Sequence, residues 1–599
     1  MFYGFGTLPG KLVRKKFLLF LYHLRKLIAS IASTLRYNDG SLPSQGRPVG
    51  FSTLFKHSLA DFFLAFYFAE TVLVLLLLNV ISVQGAPKRL TATPVTIKAH
   101  LASGWYPSDP AALTNMINAL ERKSANLTPH LDPNQIRALV VPHAGYAYSG
   151  VVAAATYKIV EGAQFSRVII LAPSHHKAFT GVALPTFGKY GMPQGNVIID
   201  AALVKELSKQ KLFTFDDDVF KKEHAVEVQL PFVQRYLKNV SVVPLIIGQL
   251  TTQQANAVAK ALAPFIDKQT LVVVSTDFTH YGKQFDYTPF DDHVAERIKQ
   301  LDATIVTAVQ QQKVAPLETI IKETQATVCG RKPLAVLLAL CEQKVLGAIE
   351  PRLIAYETSS DAGATGSSVS YVGLVFTTQK RATQSLSDQF TSMEQQTLLE
   401  LSKGTLASLY DASKANFLFP LLGTAGDEKR GVFVTLYKKN AADSDLVPLP
   451  KKSVGDLRGC IGIVEPSMPL AQGIVNMTQS AALRDTRFKP VSVDELPDIT
   501  VMLSILSVPV KIPAYSAIQL GTHGIILKNG NQQALFLPKV ALEFGWDLPT
   551  TLTQLSQKAG LPALAWKDPK TEFQVFMSLD IPAELASVIS KGSDHGLIK

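Results

Sequence analysis

The sequence predicts an α/β domain over residues 92–378 and an α+β domain over residues 392–590, behind one N-terminal apolar segment. Three observations predict this. From about residue 92 onward, short β-branched runs alternate with longer helical patterns, the signature of an α/β domain. A polar stretch, TTQKRATQSLSDQ at 377–389, then interrupts the pattern and reads as a linker, placed at 379–391. Beyond it come a helical opening and β-rich segments that contain a strong hairpin signal. With 599 residues the chain exceeds what one hydrophobic core supports, which agrees with more than one domain.

The N-terminal part divides into a basic segment, 1–61, and an apolar segment, 62–85. The net charge of +11 is concentrated here: residues 1–60 carry nine Lys and Arg against Asp39 alone, so about +3 remains for everything after. A basic flank beside an apolar run follows the positive-inside rule better than it resembles a nucleic-acid arm, and no nucleic-acid partner is expected. The run Phe62 to Val83 is long enough to span a bilayer despite Glu70. It reads as a transmembrane helix, with a cleaved signal segment ending near Gly85 as the alternative, and a start near Leu54 would make that signal an ordinary short one. Either reading puts both folded domains on the extracytoplasmic, periplasmic side. Cys329, Cys341 and Cys460 are too few, and odd in number, for a disulfide framework.

In the first domain the candidate strands are 138–141, 167–171, 240–247, 271–275 and 368–376. Open α/β sheets collect functional groups just beyond the carboxyl ends of their strands. His143 follows the first candidate in PHAGY, and His175 and His176 follow the second in PSHH. Asp277 and His280 follow a later one in TDFTHYG. EHAVEVQLP adds Glu223, His224 and Glu227, and TVCGRKP adds Cys329 ahead of an apolar helical run, where a helix dipole favours thiolate. Five of the twelve histidines therefore fall in such loops, which points to a metal or acid/base centre. Imidazole and thiolate suit iron, copper or zinc, whereas a carboxylate-only set would suit magnesium. Cys341 lies inside the apolar run and reads as core packing.

In the second domain the candidate strands are 431–438, 499–507 and a hairpin over 524–538 turning at Asn529-Gly530. Arg458 and Cys460 lie between glycines and read as a tight segment that brings backbone close to a ligand. Arg484, Asp485 and Arg487 form a charge cluster, readable as a ligand site or as an ion-pair brace. His523 is the histidine available as a base for Cys460. No Walker loop, GxGxxG after a strand or GxSxG elbow occurs, so nucleotide-binding and serine-hydrolase classes find no support.

Taken in order, SGWYP, PHAGYAYSG, PSHH, EHAVEVQLPF, STDFTHYG and TVCGRKP resemble the Memo family, whose bacterial members are called AmmeMemoRadiSam system protein B. The likeness spans 97–376. It implies a fold similar to the class III extradiol dioxygenases, and iron or copper held by His143, His175 and Cys329. Asp277 and His280 would then be the catalytic proton-transfer pair, with His176, His224 and Glu223 in the same pocket. The implied activity is oxidase-like, with a non-catalytic metal- or peptide-binding scaffold as the alternative. LRGCIG, AALRDTRFKPV, HGI, LFLPKVALEFGW and KAGLP resemble the AMMECR family, AmmeMemoRadiSam system protein A, over 395–580. The family association also implies a radical-SAM partner.

Overall fold

A computed structural model describes residues 95–381, 384–411, 424–439 and 456–582. The basic segment 1–61 and the apolar segment 62–85 lie outside the described residues. No helix of the described residues is long and apolar enough to cross a membrane.

Among the described residues, the first domain is built on a nine-stranded mixed sheet. Its strands are β1 (Ile136–Val141), β2 (Arg167–Pro173), β3 (Val182–Leu184), β4 (Phe213–Phe215), β5 (Ser241–Ile247), β6 (Thr270–Ser275), β7 (His280–Tyr281), β8 (Glu350–Thr358) and β9 (Ser368–Thr377). The order across the sheet is β7-β9-β1-β6-β2-β5-β3-β4, with β8 on the other side of β9. The centre, β1-β6-β2-β5, is parallel, and β9 closes it antiparallel against β1. These central strands read as continuous apolar runs rather than alternating ones because both faces are covered. One face carries α1 (Tyr146–Lys158), packed on β8 and β9, and the other carries α2 (Arg331–Glu342), packed on β2 and β6. Every residue of α2 from Pro333 to Cys341 is buried, so Cys341 is a core residue, in keeping with its sequence reading.

The sequence locates five of the six long strands of this domain to within two residues and misses β8, because Glu350 and Arg352 break its apolar run. Those two charges are the key to how the second domain is attached. The segment predicted as a polar linker is packed: Arg381 is 1% exposed. Its guanidinium makes a bidentate pair with Glu394 at 2.8 and 2.8 Å, and its Nε donates to Glu350 of β8 at 2.8 Å. Glu394 is the third residue of α3 (Ser392–Ser408), where it also closes a capping box with Thr391. The Thr391 hydroxyl donates to the Leu353 carbonyl of β8 at 2.7 Å, and Met393 enters the first domain's core. Glu428 approaches Arg381 at 3.6 Å and holds Arg430 at 2.8 Å. Charges this deeply buried are tolerated because each has a partner.

The rest of the second domain carries two four-stranded antiparallel sheets among the described residues. The first holds β10 (Val432–Lys438), β11 (Asp456–Ile463), β12 (Ile499–Leu506) and, from the chain's end, β17 (Ser578–Ile581), in the order β11-β10-β12-β17. It is covered by α3 and α4 (Leu470–Leu483), whose apolar side chains share one core with it. The second holds β13 (Val510–Ile512), β14 (Gly524–Asn529), β15 (Gln532–Phe536) and β16 (Glu572–Phe576). The predicted hairpin is β14-β15, and Gly530 supplies the positive φ of +62° that its turn needs.

Arg381→Met leaves Glu394 buried without its cation. It is expected to destabilise the chain by about 3–5 kcal/mol, read as a shift of the urea unfolding transition; a shift under about 1 kcal/mol would contradict the clamp described here.

Candidate metal centre

Because β1, β6 and β2 are adjacent and parallel, their carboxyl ends open on one edge of the sheet, and the residues that follow them meet there. His143 leaves β1, Asp277 leaves β6 and His175 leaves β2. His224, at the start of the one-turn helix His224–Glu227, comes in beside them. One ring nitrogen from each of His143, His175 and His224 lies within 4.8 Å of the others. The His175 and His224 rings stack at 4.3 Å, and both stand about perpendicular to His143 at 5.1 Å. Cys329, just ahead of α2, brings its Sγ to 3.2 Å from His143 Nε2. The structure therefore gathers His143 and His175, two of the ligands implied by the resemblance, together with His224, and sets the third implied ligand, Cys329, against His143. His143 is buried, His224 half-buried, and about a quarter of the His175 side chain reaches solvent, so the cluster is open on one side.

The tautomers follow from the hydrogen bonds. Ser275 Oγ donates to the Ala225 carbonyl at 2.6 Å, which consumes its only proton. His143 Nδ1, 3.0 Å from that oxygen, must therefore be the donor, and Nε2 keeps its lone pair facing Cys329. Gln229 Nε2 also donates to Ser275 Oγ at 2.9 Å and to the Pro142 carbonyl at 2.9 Å, so the whole chain of contacts is satisfied. In His175 the Nδ1–H points at Glu223 Oε1, 2.8 Å away, and its backbone N–H donates to Glu223 Oε2 at 2.6 Å. The same carboxylate caps the helix of His224 through Ala225 N at 2.9 Å and lies 3.4 Å from His224 Nδ1. Carboxylates and hydroxyls that hold one imidazole nitrogen free the other for a metal.

Charge is distributed unevenly across the three rings. Burial, together with the neighbouring His224 and His175, keeps His143 neutral, with its pKa well below the ordinary value. Burial and then the charge on His175 push His224 down to about 4. For His175 burial acts the same way, but hydrogen bonds with Cys329 and Glu223 overcome it and raise the group to about 10. Burial raises Asp277. Glu223 is held below its usual range, because its contact with His175 outweighs its burial.

Asp277 and His280 are in the neighbourhood but arranged unlike one another. Asp277 Oδ1 accepts from the His143 backbone at 2.8 Å, and the Asp277 N–H donates to Cys329 Sγ at 3.2 Å, so this residue ties two ligand loops together. His280 Nδ1 faces two carbonyls, Phe278 at 2.8 Å and Thr327 at 2.9 Å, which makes it a donor and leaves Nε2 as an acceptor. His176 stays on the rim, with its ring 6.3 Å from that of His224. Trp105, in the SGWYP segment, lies 4.5 Å from His224. Behind it Glu227 is gripped by His100 Nδ1 at 2.7 Å, the Leu101 N–H at 2.9 Å and the Tyr106 hydroxyl at 2.5 Å. Sequence reasoning passes over Ser275 and Gln229; their signal is a polar residue at the inner end of an apolar strand and of EHAVEVQLP.

In the second domain the predicted residues separate. Arg458 and Cys460 are on the strand β11, paired with β10, with Arg458 at a shift in the register, and not in a tight ligand-facing turn. The glycine beside them is required by packing: a Cβ on Gly459 would stand 2.3 Å from the Ala481 carbonyl of α4. Arg458 pairs with Glu495 at 2.9 Å and Arg487 with Asp485 at 2.6 Å, which is the brace alternative. Asp485 accepts from the Cys460 N–H at 2.8 Å, and the Cys460 thiol meets Thr435 Oγ1 at 3.3 Å. His523 accepts from Gln519 N in its own turn at 3.1 Å; no contact joins it to Cys460 among the described residues, so the nucleophile-base pair is not formed. Arg484 is exposed.

An α/β domain with imidazoles and a thiol gathered at the carboxyl edge of a parallel sheet defines a class of candidate metalloproteins. Residues 98–375 match the family profile described as Memo-like protein, and residues 379–581 match that described as AMMECR1. The chain belongs to the Memo family and carries an AMMECR1 domain behind its Memo domain. It is 32% identical to the memo-1 homolog of Caenorhabditis elegans over 47% of this chain and 83% of that protein. A MEMO1 family protein of Thermococcus kodakarensis is 33% identical over 46% of this chain and 97% of its own length. One of Methanopyrus kandleri is 35% identical over the same shares, 46% and 97%.

Ser275→Ala leaves His143 Nδ1 and Gln229 Nε2 each short of a buried acceptor and is expected to cost about 1–3 kcal/mol in urea unfolding. In the second domain the Arg458 guanidinium and the Ser492 N–H hold Glu495 down to about 2 against an ordinary 4.5. A carboxyl depressed in the folded state contributes fully above its unfolded value and loses that contribution as pH falls through the folded one. Acid unfolding followed by Trp546 and Trp566 fluorescence is therefore expected to be steeper between pH 4.5 and about 2 in the wild type than in Glu495→Gln; identical profiles would refute this assignment.

Proposed function

We propose that the Memo domain holds one transition-metal ion, iron or copper, on His143, His175 and Cys329 with His224 alongside, and carries out an oxidase-like redox reaction. The observation that carries this reading is the convergence of three imidazoles and one thiol whose outward-facing atoms already have partners. The donor set fits such a metal: imidazole and thiolate favour copper, iron or zinc over magnesium or calcium. When bound, iron or copper would supply one-electron exchange.

The chain's own residues account for the remainder. Ser275 and Glu223 fix which imidazole nitrogens face the centre. Asp277 holds the His143 and Cys329 loops in register. His280, with Nδ1 committed to two carbonyls, keeps Nε2 available to take a proton from a substrate. The exposed side of His175 is the route by which a substrate arrives. We place this activity on the extracytoplasmic face of a membrane, tethered by the apolar run at 62–85 or released after its cleavage, because nine basic residues precede that run and only Lys88 and Arg89 closely follow it. The AMMECR1 domain would serve as a rigidly attached platform, for which a radical-SAM enzyme is the proposed partner.

Metal analysis of the full chain tests the first claim. About one iron or copper per chain is expected, with the affinity falling by at least about tenfold in His143→Ala, His175→Ala and Cys329→Ala. No retained transition metal, or variants that retain it as the wild type does, would sink the proposal. Occupancy by zinc alone, with no oxygen consumed in the presence of a reductant, would reject the redox half and favour a metal- or peptide-binding scaffold.

A further inference from the structure

The cluster opens into a cavity of about 530 Å³ bounded by His175, His176, Lys177, Cys329, Arg331 and Lys332, among others. No aspartate or glutamate lines it among the described residues, although Lys177, Arg331 and Lys332 all do. Two of these cations are neutralised from outside its walls: Lys177 by Asp216 at 2.6 Å and Lys332 by Glu318 at 3.3 Å. Arg331 makes no side-chain hydrogen bond or ion pair among the described residues. It is two residues from Cys329, at the first position of α2, on a backbone fixed by Gly330 N donating to Thr276 Oγ1 at 2.9 Å. A Cβ on Gly330 would stand 2.2 Å from Thr276, so the tie between the Cys329 loop and the start of α2 is sterically tight.

Arg331 and Lys332, with Gln249 and Gln325, also line a second cavity of about 710 Å³. The one acid that faces this second space near them, Glu318, is taken up by Lys332 and by the Thr252 hydroxyl at 2.7 Å. Both cavities thus present the same arginine, and neither offers it a partner. An exposed guanidinium without a partner, beside a cavity that no carboxylate lines among the described residues, sets up a positive field at the entrance to the centre and offers a planar pair of donors.

We propose that the substrate of this centre carries an anionic group, a carboxylate or a phosphate, and that Arg331 binds that group while the rest of the molecule reaches His175 and Cys329. Pro173, Phe179 and Ile247 give the part of the substrate nearest the centre an apolar wall. This rests on the metal-centre reading for what happens to the substrate, but not for the anion site itself, which is made of residues that bind no metal. Arginine suits the role because both kinds of anion accept two parallel N–H bonds from it, and because its charge does not depend on pH in the working range.

The test is calorimetric titration of the metal-free full chain with inorganic phosphate and, separately, with benzoate. Saturable binding of at least one anion is expected, weakened about tenfold or more in Arg331→Gln and left within about twofold in Lys209→Gln, a surface lysine paired with Glu206 elsewhere on the domain. Binding of phosphate alone would identify a phosphate ester, and binding of benzoate alone a carboxylic acid. If neither anion bound, or if Arg331→Gln bound both as the wild type does, the proposal would be overturned. Metal content measured on the same preparations before the metal is stripped separates the two readings: Arg331→Gln is expected to carry the wild-type metal, and a wild-type chain that binds the anion after stripping but held no metal before it would overturn the metal centre and leave the anion site standing.

Discussion

Everything assembled at the candidate centre depends on one constraint of the sheet: β1, β6 and β2 run parallel and side by side, in that order. Parallel neighbours end on the same edge, so each strand delivers the residue that follows it to a common place. Val141 is level with Ser275, and Leu171 with Val274, so His143, Asp277 and His175 leave the sheet at closely matched heights. An antiparallel arrangement of the same strands would have sent one of the three to the opposite end. The packing of α1 and α2 on both faces makes this arrangement rigid, and it also makes the strands legible as uninterrupted apolar runs.

On that frame, orientation is imposed by buried polar groups. Glu223 accepts from the His175 backbone, its ring and the Ala225 amide at once, which joins the loop after β2 to the short helix that carries His224. Ser275 has its proton taken by a backbone carbonyl, and this decides the tautomer of His143 without any metal being needed. Such groups are expensive to bury unless fully paired, and here they are paired with one another. The centre is thus arranged by its surroundings and opens past His175 toward the cations beyond it.

The join between the two domains obeys the same rule on a larger scale. Arg381 unites Glu350 of the Memo domain with Glu394 at the start of α3, and Thr391 and Met393 carry the contact into β8 and the core. A stretch of polar letters reads as a flexible linker because exposure is the usual fate of such residues. It is buried here because its one arginine finds two carboxylates that are distant in sequence.

By itself the sequence determined the kinds of domain, the long central strands, the hairpin at Asn529-Gly530 and the association of histidines with strand ends. These are local properties: a run of β-branched residues, a turn that needs positive φ, or a residue type following a strand can be read within ten residues of chain. Only the tertiary structure decided the rest. It chose the strand order that places Cys329 beside His143, 186 positions away, a pairing that the sequence carried only as an implication of the family resemblance. It brought His224, expected in the same pocket, within ligand distance of His143 and His175, and it showed that Gly459 makes room for α4 where a ligand was expected. The brace of Arg458 and Glu495, the separation of Cys460 from His523 and the burial of Arg381 were equally out of reach. Each of these depends on which distant segments pair, and a carboxylate or a glycine has the same local signature whether its partner is water, a ligand or a helix packed against it.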